Sequence, residues 1–177
     1  MSNKLYPIFF LTIVVLIAVA LLMGLNFITE PRIIDEREAR LRAMLEETFS
    51  EMTDFRLEDD LYIILEENEK IGYSFVTTGT GYGGDINILV SLETDFSIKN
   101  VSIINQTETP GLGDRITSPE FTDMFQGLEA EEVALAEQGG KVDAISGATV
   151  SSEAVTEAIR ESMIEKIQKL DRDKNER

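Results

Sequence analysis

From Pro7 to Ile28 the chain reads PIFFLTIVVLIAVALLMGLNFI, 22 positions without a charged side chain and with only Thr12 and Asn26 strongly polar. At about 1.5 Å of rise per residue, a helix of that length reaches ~33 Å, enough for a hydrocarbon core of roughly 30 Å. The run therefore divides the chain into a membrane anchor and a remainder that folds in water. A cleaved signal peptide is the competing reading, with Lys4 as its basic region and Ala18-Val19-Ala20 as a small-residue cleavage site. The apolar run continues well past Ala20, longer than a signal peptide requires, so length favours an uncleaved anchor. Orientation stays open on charge: Arg32, Arg37 and Arg40 against Lys4 favour a cytoplasmic C-terminal side, with acidic residues interleaved among those arginines.

The remainder is strongly acidic. Lys and Arg number 16 against 33 Asp and Glu, a net charge of −17, and Lys4 alone among charged residues precedes Glu30. Phosphate backbones need clustered Lys and Arg, so nucleic acid is excluded as a partner class. Cys, His and Trp are absent. Thiolate-held iron–sulfur or zinc, imidazole metal sites, histidine-ligated haem and a Ser-His-Asp triad all go with them. Redox chemistry on this chain requires a bound organic cofactor.

Residues 35–49, DEREARLRAMLEETF, are strong helix formers with Leu41, Met44, Leu45 and Phe49 near one face. Strand character follows at Leu61 to Leu65, Ile71 to Thr77, Ile86 to Leu92 and Phe96 to Ile104. A short helix is expected at Ser118 to Phe125, with Pro119 in its first turn. Val155, Ile159, Met163, Ile167 and Leu170 then mark one face of a final amphipathic helix, Val150 to Leu170. The fold class is α+β: an N-terminal transmembrane helix, then a small, mostly antiparallel sheet packed with helices. The expected organisation is an anchor at 1–29, a connecting helix at 30–52, a folded domain at 53–170 and a polar tail at 171–177.

Three stretches are candidates for chemistry. GTGYGG, Gly79 to Gly84, matches G-x-G-x-x-G but leads into a strand, which removes the dinucleotide reading. It is either a flexible hairpin or a loop whose missing side chains admit a flat ligand close to the backbone. QTETPGLGD, Gln106 to Asp114, prescribes a turn at Pro110-Gly111, which leaves Thr107, Glu108 and Thr109 surplus to structure. VDAISGATVSS, residues 142–152, places Ser146 and Thr149 where a loop becomes a helix. There, free N–H groups and the positive end of the helix dipole suit a phosphate, while either hydroxyl equally suits an N-cap.

Taken together, GYGGDINILVSLE at 81–93, ETPGLGD at 108–114 and DAISGAT at 143–149 resemble the FMN-binding domain family. Its members include the G subunit of the Rnf ion-translocating electron-transport complex and the C subunit of the sodium-pumping NADH:quinone oxidoreductase. With the membrane helix, the resemblance covers nearly the whole chain, and its compactness is more similar to the Rnf G subunit. It implies FMN esterified through its phosphate to Thr149 by a separate flavin transferase. Asp143, Ser146, Gly147 and Ala148 fill the rest of that attachment signal. Glu108, Thr109, Pro110, Gly111, Leu112 and Gly113 match the loop bordering the flavin, and Tyr82, Gly83 and Gly84 match the glycine-rich turn. Gln106 stands where many relatives have His, and Asp85 where many have Pro.

The resemblance further implies an electron carrier rather than an enzyme acting alone, with no catalytic residue and no metal. Its partners are the other subunits of the Rnf membrane complex, which moves electrons between ferredoxin and NAD with ion transport. The domain is expected on the extracytoplasmic side of the cell membrane, on a single-pass anchor. Arg115, the one basic residue close to the 108–114 loop, either pairs with flavin charge or is a solvated arginine beside Asp114. The alternatives are a quinone-reductase C subunit or stand-alone membrane FMN carrier and, from another class, a cofactor-free scaffold in which SGAT is only a cap.

Overall fold

The computed structural model describes residues 5–175, with the side chains of 5–6, 24–38 and 173–175 outside the description. Two units make up the chain, Met1–Ala43 and Met44–Arg177. Helix α1 (Leu5–Thr48) supplies the first unit and the opening residues of the second. The expected anchor and connecting helix fall partly on residues 24–38, outside the described side chains. Among the described residues, no helix is long and apolar enough to cross a membrane. The helix ends at Thr48 rather than at residue 52, where Met52 N–H closes a tight turn onto the Phe49 carbonyl (3.0 Å).

In the second unit, β1 (Asp54–Glu58), β2 (Leu61–Glu66), β3 (Glu69–Thr80), β4 (Asp85–Leu92) and β5 (Ile98–Asn105) form one antiparallel meander in chain order. Asp59-Asp60 and Glu67-Asn68 all have positive φ, between 45° and 76°, as two-residue hairpin turns require of both central positions. Strand β1 is the element that sequence pattern does not predict. Its residues, DFRLE, are mostly exposed at the sheet edge and carry no alternating apolar pattern.

Ile86, Ile88, Val90 and Leu92 of β4 alternate onto one face, where Tyr73 and Phe75 of β3 stand opposite Leu92 and Val90. Helix α3 (Thr149–Asn175) covers that face with Val155, Ile159 and Met163, all fully buried. Burying each such side chain is worth about 1.5–3 kcal/mol. The helix lies close because β3 offers Gly79, where a Cβ would stand 2.4 Å from the Ala154 carbonyl oxygen. On the other face, the Phe49 ring occupies the space above Gly72, and Ser74 and Ser91 share a buried hydroxyl hydrogen bond of 2.9 Å.

The expected helix at Ser118 to Phe125 divides into α2 (Pro119–Thr122) and a 3₁₀ turn, Asp123–Phe125. That tightening sets Phe121 and Phe125 edge to face at 5.3 Å in the core. Helix α3 runs on to Asn175, beyond the apolar residues that marked its end at Leu170.

Candidate functional site

The β3–β4 connection, Gly81 to Gly84, is closed by the Gly81 N–H on the Gly84 carbonyl at 2.9 Å. It folds against the segment after β5, and the contact is made by Glu108, a carboxylate residue only 5% exposed. Glu108 Oε1 accepts the Gly83 N–H at 2.9 Å, and Oε2 accepts the Ser151 hydroxyl at 2.6 Å. A Cβ on Gly81 would stand 2.3 Å from Oε1, and one on Gly113 would stand 2.7 Å from Oε2. Thr107 completes the join, donating its hydroxyl to the Gly83 carbonyl at 3.1 Å. Thus Thr107 and Glu108, surplus to the Pro-Gly turn, tie the hairpin, the 108–114 loop and the start of α3 into one body. The glycines at 81 and 83 make room for these protein atoms.

The turn itself is type II: Gly111 has φ +79°, and Leu112 N–H donates to the Thr109 carbonyl at 3.1 Å. A second turn of this kind precedes α3, where Gly147 has φ +81° and Ala148 N–H donates to the Ile145 carbonyl at 2.9 Å. Gly147 is therefore required by the backbone. The hydroxyls around it divide cleanly. Ser151 holds Glu108, while Ser152 accepts the Ile145 N–H at 3.1 Å and donates to the Ala148 carbonyl at 3.0 Å. Ser146 and Thr149 are exposed and make no side-chain hydrogen bond among the described residues, so neither caps the helix. The first helical residues Thr149, Val150 and Ser151 present N–H groups that no described hydrogen bond takes.

A cleft of about 600 Å³ joins the three stretches, within the roughly 300–1,000 Å³ of small-ligand sites. Of the expected residues it gathers Tyr82, Glu108, Thr109, Leu112, Gly113, Gly147, Ala148 and Thr149. Gly83, Gly84, Pro110, Gly111, Asp143 and Ser146 lie outside its lining. Tyr82 (79% exposed), Leu112 (48%) and Val150 (52%) give it an apolar rim. Val150 and Ser151 are the lining residues that motif reasoning passed over, although both stand beside Thr149 in the first turn of α3. Arg115 lies outside the lining and sits 3.8 Å from Glu120, so its partner is neither the cleft nor Asp114.

An apolar-rimmed cleft with a free hydroxyl and unpartnered N–H groups at one end suits a flat ring system carrying a phosphate. Comparison with known proteins agrees in kind. The model of the FMN-binding domain matches residues 81–163. The G subunit of the ion-translocating oxidoreductase complex of Methanosarcina acetivorans is 42% identical over 52% of this chain and 50% of its own length. The G subunit of the Na(+)-translocating ferredoxin:NAD(+) oxidoreductase complex of Acetobacterium woodii is 33% identical over 59% of this chain and 53% of its own. The chain thus spans about half the length of these two relatives. The corresponding G subunit of the ion-translocating oxidoreductase complex of Stutzerimonas stutzeri aligns more fully, 30% identical over 81% of this chain and 72% of its own. On that extended alignment and the domain match beneath it, the chain belongs to the FMN-binding domain family, the family of these G subunits.

Proposed function

We propose that this domain carries FMN covalently on Thr149 and serves as an electron-transfer subunit of a membrane-bound, ion-translocating ferredoxin:NAD oxidoreductase of the Rnf type. The observation that carries the reading is the Thr149 hydroxyl, exposed, without a hydrogen-bond partner among the described residues, at the end of an apolar-rimmed cleft and beside the open N–H groups of α3. A structural cap would have engaged it. The names of the G-subunit relatives supply the setting, and Acetobacterium's names both ferredoxin and NAD.

In the linkage a Thr149 Oγ–P bond forms as a P–O bond of the flavin donor breaks; the leaving group, the nucleotide half of a flavin dinucleotide presented by the transferase, departs with the hydroxyl proton, and the chain gains one FMN less one water. Bound FMN supplies electron exchange; the protein supplies position and electrostatics. The N–H groups of Thr149, Val150 and Ser151 would receive the phosphate in the absence of any basic lining residue. Tyr82, Leu112 and Val150 would shield the ring from water, while Gly147 and Ala148 keep the approach to Thr149 free of bulk. A flavin transferase would reach Thr149 on the folded surface. Asp143, Ser146 and Gly147, exposed along the same stretch, would be read by it.

The reading includes a single-pass anchor and an extracytoplasmic domain. Every described side chain from Pro7 to Met23 is exposed, and Thr12 returns its hydroxyl to the Ile8 carbonyl at 2.9 Å. Apolar exposure around a whole helix, with its polar side chain satisfied within the helix, suits a lipid surround.

The test is intact mass under denaturing conditions after expression with and without a flavin transferase, alongside Thr149→Ala. A gain of one FMN less one water, absent from T149A at unchanged stability, is expected. An unmodified wild-type chain in the presence of demonstrably active transferase would overturn the reading.

A further inference from the structure

We infer that Glu108 is a positioning residue that also depresses the reduction potential of the group held in the cleft. The inference rests on the FMN reading above. Glu108 lines the cleft while being nearly fully buried, and both of its oxygens are acceptors: Oε1 from the Gly83 N–H, Oε2 from the Ser151 hydroxyl. Accepting at both oxygens is the pattern of an ionised carboxylate. Its place is built rather than incidental. Gly81 and Gly113 are the residues whose missing Cβ atoms leave space for Oε1 and Oε2. The backbone enters the arrangement with the Glu108 N–H donating to Gln106 Oε1 at 2.5 Å.

Two consequences follow from this one clamp. The hairpin bearing Tyr82 and the helix turn bearing Thr149 are held at a fixed separation, because a single side chain bonds to both. A fixed negative charge also stands at the wall of a cleft that no basic side chain lines. Water has little access to the carboxylate, so its field on a ring held in the cleft would be weakly screened, and adding an electron to that ring disfavoured. The Ser151 hydroxyl and the Gly83 N–H moderate the charge, and so tune the effect.

Removing the charge and removing a donor must therefore act in opposite directions. Glu108→Gln keeps the shape and the acceptor facing Gly83, but abolishes the charge. Ser151→Ala keeps the charge and withdraws one of its donors. Both variants and the wild type are loaded by co-expression with a flavin transferase, loading is counted by intact mass, and the flavin midpoint potential is measured by reductive titration followed by absorbance. The expected result is a higher midpoint in E108Q and a lower one in S151A. Equal midpoints, or shifts of the same sign, would mean that the clamp only packs the loops, and would overturn the electrostatic role. If E108Q does not fold, an unshifted midpoint in S151A overturns it alone. Failure of the underlying reading is visible separately, as a wild-type mass without flavin before any potential is measured.

Discussion

In the β3–β4 connection, the position of a Cβ on Gly83 is already taken by the Thr107 carbonyl oxygen, 2.2 Å away; at Gly147 the nearest atom, Leu112 Cδ2, is 3.4 Å away and the constraint is φ +81°. Both loops border the same cleft, yet glycine is present for different reasons. The hairpin needs volume for Thr107 and Glu108. The turn before α3 needs a left-handed backbone, and leaves Ser146 and Thr149 facing outward. Glycine in a loop that borders a ligand cleft is therefore weak grounds for ligand contact until the atom that would meet its Cβ is known.

The contrast breaks if alanine is tolerated equally at both places. Gly83→Ala forces a methyl against backbone that cannot rotate away, so about 3 kcal/mol should be lost, a fall in Tm on the order of 10 °C. Gly147→Ala meets only an ordinary contact with the Leu112 side chain and carries the left-handed penalty, about 1 kcal/mol. Thermal melts of the two variants read the difference directly. Similar losses would show that the hairpin relaxes around the methyl and that its packing was not tight.

The hydroxyls sharpen the same comparison. Ser152→Ala leaves the buried Ile145 N–H without its acceptor, and should cost about 1–2 kcal/mol in denaturant unfolding. Ser146→Ala removes an exposed, unbonded hydroxyl and should stay within about 0.5 kcal/mol of wild type. A large effect at Ser146 would mean that this hydroxyl supports the turn after all, and would weaken the argument that the stretch keeps Thr149 free for chemistry.

The parts legible in the sequence were those whose physics is local. INILV alternates in part, and β4 is an interior strand with its even-numbered residues in the core under α3 and Leu89 buried on the other face. Val155, Ile159 and Met163 keep helical spacing, and they line α3. Strand β1 was not legible, because an exposed edge has no face to hide and so no pattern to show. Nor was the office of Glu108, whose two partners lie 25 and 43 residues away along the chain. Its motif, ETPGLGD, places the residue beside a turn but says nothing of which loops close over it. Arg115 stayed open between two readings for the same reason: Asp114 is its neighbour in sequence, while Glu120 is its ion-pair partner in space and the Arg115 side chain is half exposed.

The smallest expected effect lies in the strap that delivers the chain to the Ile145–Ala148 turn. Residues 132–142 fold back on themselves through Lys141 N–H to the Glu132 carbonyl (3.1 Å) and Val142 N–H to the Ala134 carbonyl (3.1 Å), and Lys141 also pairs its ammonium with the Glu132 carboxylate. That ammonium first, and the Glu129 N–H second, hold the Glu132 carboxyl below its ordinary range. A depressed carboxyl contributes stability above its unfolded pKa and loses it as pH falls through the folded one. The wild type should therefore lose Tm more steeply than Glu132→Gln on acidification below the ordinary glutamate range, with the two converging at the acid end. The pair is solvent-exposed, so the separation at neutral pH should be small and shrink further in salt. Parallel curves across that window would remove the ionic contribution. The strap would then rest on its backbone hydrogen bonds alone.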